Sequence, residues 1–190
     1  MRAFIAITLT QDIKESLFHI QINLNKLGAE IKWVPLENIH LTLKFLGVIN
    51  EITLKKVINA IEETAQNHAK FKIGLSGAGA FPDTIHPKVI WIGVNEGNNK
   101  IEDIACTLEK KIESLGIARE KRPFSCHITL GRTKSSRNIQ ELIEGLNNLS
   151  NNLYKENLSF TAEGITIFKS RLSPSGAAYE TLKEITFKAT

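Results

Sequence analysis

Cysteine is scarce in this chain of 190 residues: Cys106 and Cys126 are too few for a disulfide framework, and neither stands in a Cys-x-x-Cys pair. They read as reduced thiols, and the expected address is cytoplasmic. No apolar run approaches the ~18 residues that a membrane span needs. The first such run, Phe4 to Leu9, meets Gln11, Asp12 and Lys14 too soon to be a signal-peptide core. Aromatic residues make up only 7%, so most are expected in the core rather than on a surface that stacks bases. The glycines from Gly74 to Gly79 are followed by no Gly-Lys-Ser/Thr signature, which excludes a phosphate loop and leaves a turn between strands as the reading.

What is present is ordinary globular material, 42% hydrophobic and 23% charged, in a length that suits one domain spanning 1–190. A net charge of +4 favours a polyanionic partner such as RNA through long-range attraction. The densest charge, Arg119, Glu120, Lys121 and Arg122, reads as a solvated connector.

Four segments carry apolar residues at helical spacing. The first uses Ile13, Leu17, Ile20, Leu24 and Leu27, with Thr10 as its N-cap and Gly28 just past its end, and the second follows Asn50 and uses Leu54, Val57, Ile58, Ile61 and Ala65. The third, after Asn98 and Asn99, uses Ile101, Ile104, Leu108, Ile112 and Leu115 and stops at Gly116, and a weaker fourth uses Ile139, Leu142, Leu146 and Leu149. Strand-like runs rich in branched residues occupy 2 to 9, 31 to 34, 39 to 48, 70 to 80, 88 to 94, 124 to 133, 155 to 161, 163 to 171 and 178 to 187. Several strands adjoin directly, which favours α+β with mainly antiparallel sheets over a doubly wound parallel fold. The order strand, helix, extended segment, histidine-bearing strand, helix, strand occurs from about 2 to 80 and again from about 88 to 161. This predicts a bilobal molecule of two pseudo-symmetric sheets flanked by helices, completed by C-terminal strands, with a cleft between the lobes.

Each half carries a His-x-Thr-x tetrapeptide in a strand: His40, Leu41, Thr42, Leu43 and His127, Ile128, Thr129, Leu130. Alternation projects His and Thr to one face, while the intervening apolar residues enter the other. An imidazole beside a hydroxyl suits a phosphate, because one moves protons near neutral pH and the other hydrogen-bonds a nonbridging oxygen. Two such strands facing each other would set one imidazole on either side of a phosphorus atom, one taking a proton from water and the other giving one to a leaving oxygen. No histidine, cysteine or carboxylate accompanies either motif at ligand spacing, so neither a metal nor a cofactor is expected.

Other residues need placing. Strict alternation sets Arg132 opposite His127, whereas a bulge at Gly131 would turn its guanidinium into the cleft; the sequence leaves both open. Lys44 shares the parity of His40 and Thr42 and reads as a surface lysine that could border the cleft. Cys126 alternates away from His127 and reads as core, which argues against a thiol nucleophile. His19 and His68 fall in predicted helices and His86 in a loop, and all three read as structural or solvated. The region of Lys169 and Arg171 is the expected RNA backbone contact.

Trp33 to Gly47, which contains His40-Leu41-Thr42-Leu43, together with Arg122 to Arg132, which contains His127-Ile128-Thr129-Leu130, resembles the RNA 2′,3′-cyclic phosphodiesterases, often named 2′-5′ RNA ligases, of the two-histidine phosphoesterase superfamily. The likeness extends to the opening Met1-Arg2-Ala3-Phe4-Ile5-Ala6-Ile7, to Val89-Ile90-Trp91-Ile92-Gly93-Val94 and to a late Ser170-Arg171-Leu172 followed by Gly176 and Tyr179. The resemblance implies that His40 is the general acid protonating the 3′-oxygen, that His127 is the general base activating water, and that Thr42 and Thr129 hold the phosphate. It implies an RNA with a 2′,3′-cyclic phosphate end as partner and a 2′-phosphomonoester product; apart from the resemblance, the chain is expected to be a monomer without a membrane partner. Ligation by the same site, with a 5′-hydroxyl in place of water, and a noncatalytic RNA-binding module remain the alternatives.

Overall fold

The computed structural model describes residues 1–173 and 176–189. In chain order its elements are β1 (Arg2–Thr8), α1 (Gln11–Asn25), β2 (Ile31–Trp33), β3 (His40–Val48), α2 (Glu51–Ala65), β4 (Phe71–Phe81) and β5 (Val89–Glu96). There follow α3 (Asn98–Glu113), β6 (His127–Thr133), α4 (Ile139–Asn152), β7 (Ser159–Ala162), β8 (Gly164–Ser173) and β9 (Gly176–Thr186). The α+β class and the antiparallel pairing are as expected. Residues 123–126 are not strand, so β6 begins at its histidine, and the segment 155 to 158 is largely a short 3-10 turn rather than the start of β7.

The two expected sheets are joined into one, in the order β7-β4-β5-β6-β3-β1-β8-β9, with β2 also on β6. The junction is narrow: β3 and β6 pair at Leu41 and Ile128, the residues directly after the two histidines. On one side stand β3, β1, β8 and β9; on the other, β6, β5, β4 and β7. Strand β4, the last of the first repeat, crosses to pair with β5 and β7, and the C-terminal strands complete the first lobe.

One face of the sheet packs against the helices. Ile5, Ile7, Leu41, Ile92 and Ile128 from the strands meet Leu17, Ile61, Ile104 and Leu108 from α1 to α3, each 0% exposed. Burial at this level contributes roughly 1.5–3 kcal/mol per side chain. Helix α2 starts where Asn50 accepts a hydrogen bond from the Thr53 amide at 2.8 Å, whereas Thr10 occupies the N-cap of α1 without a side-chain bond to the backbone.

Lys44 is a correction. Ala6 pairs with Thr42 and Ile5 with Lys44, so Leu43 is an extra residue in β3. This bulge turns Lys44 away from the cleft and into the helix side, where it is 1% exposed. Its ammonium meets Glu109 of α3 at 2.9 Å and donates to the Ala118 carbonyl at 3.2 Å, while the same Glu109 oxygen accepts from the Glu120 amide at 2.8 Å. The pair thereby fastens the connector leading to β6 beneath the strand that carries His40. The glycines from Gly74 to Gly79 lie inside β4 rather than at a turn: Gly77, at φ +76°, takes the bulge between Leu75 and Ala78, and a Cβ on Gly79 would stand 2.6 Å from the Trp91 ring. His68 lies beyond the end of α2, 3.7 Å from Asp103, while His19 is within α1 as expected.

Removing the buried ammonium leaves Glu109 largely desolvated. Lys44→Ala should therefore cost roughly 3 kcal/mol of stability, read from urea unfolding. A loss below about 1 kcal/mol would mean that the pair behaves like an exposed one.

Candidate active site

A cavity of about 380 Å³ opens on the face opposite the helices, and its walls include His40, Thr42, Phe45, Thr129, Arg132 and Tyr179. Both lobes contribute: β3 supplies the first three residues, β6 the next two and β9 the last. The antiparallel sense of the Leu41–Ile128 pair directs His40 toward Thr129 and Thr42 toward His127, so each imidazole faces the hydroxyl of the other strand. His127 itself stands outside the cavity lining, half-buried, and its ring lies within electrostatic reach of both His40 and Arg132.

The two rings are held alike. His40 Nδ1 stands 2.7 Å from the carbonyl of Asn38, and His127 Nδ1 stands 2.7 Å from the carbonyl of Ser125, in each case two residues upstream. A carbonyl only accepts, so Nδ1 carries the proton and the neutral ring presents the lone pair of Nε2. In His40 that nitrogen is 2.9 Å from Thr42 Oγ1, whose hydroxyl donates to it. Asn38 is 7% exposed and its side chain donates to the Ala177 carbonyl of β9 at 2.7 Å, which ties the turn that orients His40 to the opposite wall.

Aromatic rings enclose both histidines. Phe4 lies 4.8 Å from the His40 ring and Tyr179 meets it edge-on at 5.4 Å, while Phe81 meets His127 edge-on at 4.9 Å. This desolvation holds His40 down to about 4, with the Asn38 carbonyl opposing and the Lys14 and His127 charges reinforcing the shift. His127 is lowered by burial first, against the Ser125 carbonyl, and further by the Arg132 charge. Cys126 is pushed up to about 12 by burial, which leaves it an inert thiol, in line with its expected place in the packing.

A second bulge decides the position of Arg132. Trp91 pairs with Thr129 and Ile90 with Gly131, so Leu130 is the extra residue and Arg132 returns to the cleft face. The Leu130 carbonyl freed there accepts from the Gln21 amide at 2.8 Å and from the Val34 amide at 2.8 Å, and Gln21 also donates to the Val34 carbonyl at 2.9 Å. A third bulge, at Leu46, comes directly after Phe45, which stands 57% exposed in the cleft instead of in the core. Phe45 and Arg132 each stand five residues after their histidine and are matched across the junction. Lys169 and Arg171, by contrast, are engaged by Glu180 of the neighbouring strand at 3.4 and 2.9 Å. Arg2, which sequence reasoning passed over, lines the cavity.

An α+β fold that turns two His-x-Thr strands onto one cleft defines the class of two-histidine phosphoesterases. The family model described as LigT like phosphoesterase matches this chain twice, over residues 7–91 and 92–179, one histidine in each match. The RNA 2′,3′-cyclic phosphodiesterase of Methanothermobacter thermautotrophicus is 32% identical over 94% of this chain and 95% of that protein. The protein of the same name from Methanocaldococcus jannaschii is 35% identical over 97% and 99%. A crystal structure from Thermus thermophilus superposes with a TM-score of 0.82 at 25% identity, covering 100% of this chain and 99% of that one. LigT of E. coli complexed with 3′-AMP shares the fold at a TM-score of 0.77 and 23% identity, covering 98% and 97%. The chain belongs to the LigT like phosphoesterase family.

Stability should carry the signature of the buried rings. His40 titrates near 4 in the folded chain and near 6.5 when unfolded. Between these values the unfolded state binds a proton that the folded state does not, so stability falls as pH falls, by roughly 3 kcal/mol in all. Urea midpoints at pH 7 and pH 4.5 should differ less in His40→Gln than in the wild type; an unchanged difference would show that His40 protonates freely in the fold.

Proposed function

We propose that this protein hydrolyses the terminal 2′,3′-cyclic phosphate of RNA to a 2′-phosphomonoester, with two histidines and no metal. The carrying observation is the matched pair of imidazoles, each with Nδ1 pinned to a carbonyl two residues upstream and Nε2 left for chemistry. The names of the relatives support the substrate class.

The phosphate enters between the Thr42 and Thr129 hydroxyls, and Arg132 provides a fixed positive charge at the same wall. Thr42 then turns its hydrogen from His40 to a nonbridging oxygen, which frees His40 Nε2 to take a proton from solvent beside the phosphate anion. Water attacks phosphorus as His127 Nε2 takes its proton, the P–O3′ bond breaks, and His40 gives its proton to O3′. The products are a 2′-phosphate and a 3′-hydroxyl; His127 ends protonated and His40 neutral, and exchange with solvent resets both. The acid and base assignment follows the family resemblance and agrees with the depths of the rings. A deeply buried imidazolium is a strong acid toward an alkoxide, whereas the shallower His127 keeps more basicity. Phe45, exposed beside Phe4, offers a face on which the terminal base can stack.

Phosphorus NMR of an RNA ending in 2′,3′-cyclic phosphate, incubated in EDTA, tests the reading. Wild type should yield the 2′-monophosphate, and His40→Ala and His127→Ala should each lose on the order of 10²- to 10⁴-fold in kcat. Full activity in either variant, or a requirement for added metal, would refute the mechanism. If the same RNA instead rejoins a 5′-hydroxyl end without ATP, the site acts as a ligase.

The pH profiles carry a second expectation. The kcat/KM profile reports the free enzyme, where both histidines lie below 6.5, so its alkaline limb falls on the acid side of neutrality. A bound phosphate anion raises both, so the alkaline limb of kcat should lie at higher pH. Coincident limbs would mean that the phosphate does not sit between the rings.

A further inference from the structure

The cavity runs on from the histidines toward the other end of β1. On that strand Arg2, Phe4 and Thr8 share the parity that faces the cleft, and Phe4 packs against His40. Thr8 pairs with His40, and Arg2 pairs with Val48. Arg2 and Thr8 are six residues apart, about 20 Å at the strand rise. The reactive nitrogen lies nearer, because His40 Nε2 reaches Thr42, which pairs with Ala6, four residues or about 13 Å along β1 from Arg2; once the reach of an arginine side chain is subtracted, the gap is on the order of one nucleotide. Phe45 stands between the two ends.

The far end is built of unengaged groups. Arg2 is exposed, and its guanidinium makes no hydrogen bond or ion pair among the described residues. The cations expected to hold RNA, Lys169 and Arg171, share Glu180 and so carry less free charge. Beside Arg2 lies its strand partner Val48, an apolar side chain 78% exposed. A free guanidinium next to an exposed apolar side chain, at the end of a cleft whose other end takes a phosphate, matches a nucleotide repeat: one charged linkage and one base.

We propose that Arg2 holds the phosphodiester on the 5′ side of the terminal nucleotide, so that this protein selects cyclic phosphates at the end of an oligonucleotide over free nucleoside 2′,3′-cyclic phosphates. The inference rests on the function proposed above. It adds a second phosphate subsite in the same cleft, with Val48 beside the upstream nucleoside.

Two measurements test it on the full chain, using Arg2→Met and Arg2→Lys. In the first, kcat/KM is taken for a short oligoribonucleotide ending in 2′,3′-cyclic phosphate and for the matching nucleoside 2′,3′-cyclic phosphate. Arg2→Met should lower the oligonucleotide value about 10-fold. It should leave the nucleoside value unchanged within error, and Arg2→Lys should recover part of the loss. In the second, binding of the same RNA ending in a 2′-phosphate is followed against salt. Loss of one phosphate contact to a single strand should lower the log–log slope by about 0.7. Equal effects on both substrates, or no effect on either with an unchanged salt slope, would overturn the proposal while leaving the hydrolase intact. Should the wild type cleave neither substrate while Arg2→Met still flattens the salt slope, the subsite stands and the hydrolytic reading falls.

Discussion

The site depends on one backbone pairing, that of Leu41 with Ile128. Each is 0% exposed and sits between the histidine and the threonine of its motif. Where two antiparallel strands meet at the residues between motif positions, both His-Thr faces must point to the same side. A register shift of one residue would send one pair into the helix layer. Burial of both apolar side chains against the helices is what makes that slip costly. The chemistry is thus held by the packing of its neighbours: leucine and isoleucine on one face fix imidazole and hydroxyl on the other.

Beyond the junction, three bulges in the two histidine-bearing strands depart from simple alternation. Leu43, Leu130 and Leu46 are the extra residues, each keeping its own side chain in the core while resetting the parity of the residues after it. The first drives Lys44 beneath the sheet and Phe45 into the cleft, the second brings Arg132 into the cleft, and the third sets Val48 on the same face as Arg2. A bulge leaves backbone groups unpaired, and the one at Leu130 is completed by Gln21 of α1, 2% exposed and bonded to the carbonyls of Leu130 and Val34. A helix side chain thus stabilises the geometry that delivers Arg132.

These features mark the limit of what is legible in the sequence. The helices, most strands and both motifs are legible because apolar periodicity and the His-x-Thr repeat are local signals. Arg132 is half legible: Gly131 advertises a possible bulge, but the shift also needs the β5 partner, which no local pattern supplies. Alternation misplaces Lys44 because its burial requires Glu109, 65 residues away, to be on the facing helix. The glycines of β4 suggest a turn because their use, clearance for the Trp91 ring and one left-handed bulge residue, depends on a neighbouring strand. Composition assigns Phe45 to the core, yet it stands where its matched position in the other lobe carries an arginine.

Electrostatics complete the dependence on packing. Burial lowers both imidazoles, and each has one carbonyl to oppose it, so near neutral pH the free cleft holds two neutral rings and the fixed charge of Arg132. Such a cleft attracts an anion before it has any proton to give. In the proposed reaction an entering phosphate would replace the lost solvation of an imidazolium with a negative charge at contact distance, and would take over the Thr42 hydroxyl that caps His40. The proton that the proposed mechanism needs would then be stabilised by the substrate itself. On this argument the aromatic shell of Phe4, Tyr179 and Phe81 keeps the acid discharged until an anion arrives, and so ties proton transfer to occupancy of the site.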